Sequence, residues 1–92
     1  MSLPLRVLIV EDNPDDAELM LFYLRQEGFE PSWRLAATEA EYLAALDEKP
    51  DLILADWSLP RFSGRRALHL RNERGLDIPF IIVSGGIGEE AA

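Results

Sequence analysis

VLIVEDNPDDAELM, residues 7–20, changes from one periodicity to another part-way along. Val7, Leu8, Ile9 and Val10 form an apolar run with no polar alternation, the pattern of a strand covered on both faces within a parallel sheet. Two acids, Glu11 and Asp12, follow at once. Asn13 suits a helix N-cap and Pro14 the first helical position, while Asp16, three residues past the cap, faces the positive end of the helix. Ala17, Met20, Leu21 and Leu24 then recur at i, i+3, i+4 and i+7, the buried stripe of a helix ending near Gly28.

The same alternation of elements extends outward from this stretch. Trp33 and Leu35 flank Arg34 in a weaker strand that reads as a sheet edge. Thr38 with Glu41 forms a capping box opening a second helix, with Leu43 and Leu46 toward the core and Pro50 as its stop. Residues 52–55 (LILA) make a second buried run that ends in Asp56. A loop from Leu59 to Gly64 leads to a third helix, expected from about Arg65 to Arg74 and closed by Gly75 at C′. Residues 80–83 (FIIV) read as a fourth buried strand, and Gly85, Gly86 and Gly88 as a turn toward Glu89. Strands alternating with helices imply an α/β fold: right-handed crossovers and a parallel sheet between two layers of helices. In such three-layer, doubly wound sheets the functional crevice lies beyond the carboxyl ends of the strands.

Composition narrows the function. Ninety-two residues of 10.4 kDa are one domain or part of one. The net charge of -8 and scattered arginines argue against a nucleic-acid footprint, which needs clustered positive charge. No cysteine is present, so disulfides, thiolate zinc sites and thiol nucleophiles are excluded. No apolar run approaches the ~20 residues that span a bilayer. The N-terminus has no signal-peptide pattern, so a cytoplasmic location without membrane contact is expected.

The acids at the strand ends carry the chemistry. If the first and third strands are neighbours, Glu11, Asp12 and Asp56 meet on one rim. Three close carboxylates repel unless a cation joins them, and Mg²⁺, which takes oxygen ligands and keeps exchangeable waters, is the expected cofactor. A carboxylate beside Mg²⁺ is placed to attack a phosphoryl donor in line and become an acyl phosphate. That role falls to Asp56, at the end of a buried strand. Ser84 is positioned to hydrogen-bond a phosphoryl oxygen, and the Gly85 N–H to give a second bond. The plainer readings are solvated loop acids, a strand-ending acid fixing a turn, and a small turn residue at 84. His69, mid-helix beside Leu68 and Leu70, reads as a surface residue.

VLIVEDNPDDAELM (7–20), DLILADWSLPRFSG (51–64) and PFIIVSGG (79–86) together make the chain resemble a bacterial response-regulator receiver domain. The resemblance implies a flavodoxin-like strand order, 2-1-3-4-(5). It implies Asp12 as a direct Mg²⁺ ligand, Glu11 acting through water, and the backbone carbonyl of Trp57 as a further ligand. It makes Asp56 the acceptor of a phosphoryl group from the phosphohistidine of a histidine kinase or phosphotransfer protein, and Ser84 the residue that relays its arrival. Leu59, Pro60 and Gly64 match the loop after the phosphoacceptor.

The pattern departs from the family at its end. Receivers carry a fifth strand, a last helix and a Lys opposite the phosphoacceptor, whereas the sole Lys here is Lys49, ahead of Asp56. Residues 1–92 are therefore expected to be a receiver domain incomplete at its C-terminus, a piece of a longer protein, with residues 80–83 an apolar edge that favours a homodimer. Two alternatives stand beside the phosphoacceptor reading. One is a receiver-fold interaction or dimerisation module that is not phosphorylated, with Leu19, Phe22 and Tyr23 of the first helix as a contact patch. The other is an aspartyl-phosphate hydrolase, disfavoured because Ser58 stands where a second acid is needed. The chain is accordingly not expected to be an enzyme.

Overall fold

The computed structural model describes residues 3–56 and 62–83. The elements are β1 (Leu3–Val10), α1 (Pro14–Gln26), β2 (Phe29–Ala36), α2 (Glu39–Leu46), β3 (Leu52–Asp56), α3 (Gly64–Glu73) and β4 (Phe80–Val83). All strand pairs are parallel, in the order β2-β1-β3-β4. This is the doubly wound, flavodoxin-like arrangement, with no fifth strand among the described residues.

Local chemistry explains the boundaries. The Asn13 side chain accepts from the Asp15 N–H at 2.9 Å, and Pro14 opens α1 as expected. Gly28, at φ 94°, takes the left-handed conformation that turns the end of α1 into β2. Both bonds of the Thr38–Glu41 capping box form at the start of α2. That helix ends at Leu46, four residues before Pro50, and Lys49 at φ 54° completes the turn into β3. α3 starts at Gly64 instead of Arg65, because the Ser63 side chain caps it by accepting from the Arg66 N–H at 3.2 Å. β1 begins four residues before its apolar run, since Leu3–Arg6 pair with Phe29–Ser32 while remaining mostly exposed.

Each face of the sheet carries its own core. Val7, Ile9, Leu52 and Leu54 pack under Ala17, Met20 and Leu21 of α1. On the opposite face Leu8, Val10, Ile53 and Ala55 lie under Tyr42, Ala45 and Leu46 of α2 and Ala67 and Leu70 of α3. Tyr42 is fully buried, whereas Leu43 is only partly so. Burial of this polar ring is possible because its hydroxyl donates to the Ala67 carbonyl at 2.7 Å, and the ring lies 5.2 Å from that of Phe62. β4 forms as the fourth strand and is the apolar edge expected without a fifth strand, so among the described residues it is not buried: Ile81 is 49 % and Ile82 45 % exposed. No described helix is long and apolar enough to cross a membrane.

Candidate functional site

The β1–β3 register places the two acids side by side. Val10 pairs with Ala55, so Glu11, the residue just after β1, and Asp56, the last residue of β3, stand at the carboxyl rim of the sheet. Glu11 is 3 % exposed, and its backbone N–H donates to the Ala36 carbonyl at 3.2 Å. Its Oε1 accepts from the N–H groups of Asp12 at 3.0 Å and Asn13 at 3.1 Å. Its Oε2 is buried with no hydrogen-bond partner. Burial pushes the Glu11 carboxyl up to about 7; the Asn13 N–H draws it the other way, and the neighbouring Asp56 carboxylate adds to the rise.

One carboxylate oxygen from each of Glu11, Asp16 and Asp56 lies within 4.8 Å of the other two. Asp12 is exposed and does not belong to this group. Asp16, read in the sequence as a complement to the helix dipole, belongs to it. The signal that it would do so is weak but physical: helix side chains lean toward the N-terminus, and α1 begins at the rim where β1 ends. Trp57, Ser84 and Gly85 lie outside the described residues, as do Leu59 and Pro60. The β3–β4 register pairs Asp56 with Val83, the residue before Ser84.

The donor set fits a hard divalent cation. It consists of carboxylate oxygens, with the Glu11 carboxylate buried and its Oε2 unpartnered, in a cluster whose mutual repulsion a cation relieves. Mg²⁺ held there would offset negative charge on both an attacking carboxylate and an incoming phosphoryl group.

A parallel, doubly wound sheet with acids at the ends of its first and third strands defines a receiver-type α/β domain. The chain belongs to the response regulator receiver domain family, whose model matches residues 7–92. It is 40% identical over 92 residues to the phosphate regulon transcriptional regulatory protein PhoB of Escherichia coli (strain K12), covering 92% of this chain and 37% of that protein. The chain thus spans little more than a third of the length of the curated relatives it matches. Among solved structures, the PhyR stress response regulator is 35% identical with a TM-score of 0.66, over 88% of this chain and 31% of that one. The receiver domain of sensor histidine kinase PA1611 from Pseudomonas aeruginosa PAO1 shares the fold at 24% identity and a TM-score of 0.63, over 96% of this chain and 74% of that one. That domain was crystallised with a magnesium ion coordinated in its active site cleft.

Proposed function

We propose that this chain is the phosphoacceptor module of a two-component phosphorelay, with Asp56 as the acceptor and Mg²⁺ as cofactor. The observation that carries the reading is the buried Glu11 carboxylate, its Oε2 unpartnered, beside the Asp56 carboxylate at the carboxyl rim. A carboxylate oxygen of Asp56 attacks the phosphorus of a phosphohistidine in line. The P–N bond breaks, its electrons return to the imidazole nitrogen, and an acyl phosphate forms. Bound Mg²⁺ supplies charge compensation for that transfer. Glu11, Asp12, Asp56 and the Trp57 carbonyl are the residues the family motif assigns to it.

Ser84 and the Gly85 N–H are assigned to the phosphoryl oxygens by the same motif. The phosphodonor partner is a histidine kinase or a phosphotransfer protein, in the cytoplasm, with no nucleic-acid contact from this chain. The chain serves as a phosphoryl acceptor, not as an enzyme turning over a separate substrate.

Incubation with a phosphorylated histidine kinase and Mg²⁺ tests the proposal. The wild-type chain is expected to take up a hydroxylamine-sensitive label that Asp56→Asn lacks while keeping its circular dichroism spectrum. An equal label on Asp56→Asn would reject Asp56 as the acceptor, and multiple turnover of phosphate monoesters would point to a hydrolase.

A further inference from the structure

Asp16 is the acid in the cluster that strand pairing does not account for. It is the third residue of α1, and helix side chains lean back toward the N-terminus. Because α1 starts at the rim where β1 ends, that lean carries Asp16 over Glu11 and Asp56. Asn13 holds the turn in place: its Oδ1 accepts from the Asp15 N–H at 2.9 Å, and its carbonyl from the Ala17 N–H at 3.2 Å. The Asp16 carboxylate therefore comes within 4.8 Å of the other two. Asp15, about 100° away around the helix, does not join them.

Neighbouring surface acids select no ligand by themselves. Here a second feature points to one. Glu11 is almost completely buried, its Oε2 meets no donor, and its carboxylate is a member of the same cluster. Next to two further carboxylates, a carboxylate so placed is complementary to positive charge, whether a cation or a proton shared with Asp56.

We propose that Asp16 is a carboxylate of the cation site, adding to Glu11 and Asp56 in the binding of Mg²⁺. The proposal rests on the phosphoacceptor reading of the same rim and extends it to a residue that the family motif leaves out. Asp16 raises the affinity for the cation. Without the cation, its charge adds to the field that repels an incoming phosphoryl group, so it also steepens the dependence of labelling on Mg²⁺.

Calorimetric titration of MgCl₂ into the purified wild-type, Asp16→Asn, Asp16→Glu and Asp15→Asn proteins tests this, with circular dichroism reporting the fold. Asp16→Asn is expected to weaken Mg²⁺ binding about tenfold, the lower end of the loss seen when supporting groups of a metal site are removed. Asp16→Glu should recover most of that loss. Asp15→Asn removes the same charge from the same helical turn and should change the Kd by no more than about twofold, because an exposed charge outside the cluster is screened by solvent and salt. Unchanged Mg²⁺ affinity in Asp16→Asn would overturn the role of Asp16, as would equal weakening by Asp15→Asn. If phosphorylation of Asp56 persists in that case, the acceptor assignment survives. A wild-type protein that binds no Mg²⁺ would overturn both.

Discussion

Removing a carboxylate from water next to another carboxylate is unfavourable, and at Glu11 both conditions hold. In the folded chain this group keeps its proton to about 7, against 4.5 for an ordinary glutamate. The unfolded chain therefore releases that proton first as pH rises. By linkage, the Glu11 contribution to stability falls across pH 4.5 to 7 and is unaffected below that range. Thermal melts in EDTA should show Glu11→Gln losing less stability than wild type between pH 5 and 8. Parallel melting curves for the two proteins would refute this assignment. Excess Mg²⁺ should narrow the difference by stabilising the ionised wild-type site. Glu11 and Asp56 were legible as partners because each directly follows a buried apolar run. Asp16 was not, because its part depends on where the start of a helix lies relative to a strand pairing distant in sequence.

At the scale of the element, capping and periodicity were readable because each is set within a few residues. Asn13, Thr38 and Gly75 act where the sequence implied, and Ser63 adds a cap that fixes the start of α3. Tyr42 is different. Its burial depends on α3 supplying the Ala67 carbonyl, a contact across 25 positions of sequence. Burial also pushes its hydroxyl up to about 12, so it remains a donor throughout the neutral range. Tyr42→Phe should retain the aromatic packing against Phe62 and lose this bond, lowering stability by about 1 kcal/mol. Urea denaturation measures that loss, and an unchanged midpoint would show that the bond contributes nothing net. By contrast, the Arg34–Glu48, Arg66–Glu39 and Arg74–Asp47 pairs are exposed at both ends, and their removal should change stability little.

Across the described residues, the two cores cover residues 7–10 of β1 and residues 52–55 of β3 on both faces but leave β4 partly exposed at the edge of the described sheet. Ile81 and Ile82 project to opposite faces of that strand, each about half exposed. Such an edge promotes pairing with a second chain. Sedimentation of this chain should show concentration-dependent association that Ile81→Lys abolishes; a wild-type species that remains monomeric at every concentration would refute self-association through β4. The sequence by itself determined the alternation of strands and helices, the parallel α/β class and the acids at the ends of two strands, because periodicity, caps and apolar runs are local properties. The tertiary structure alone decided which acids meet, how deeply Tyr42 is buried and how exposed β4 remains. These depend on crossovers and packing between residues far apart in the chain, where no local pattern carries the information.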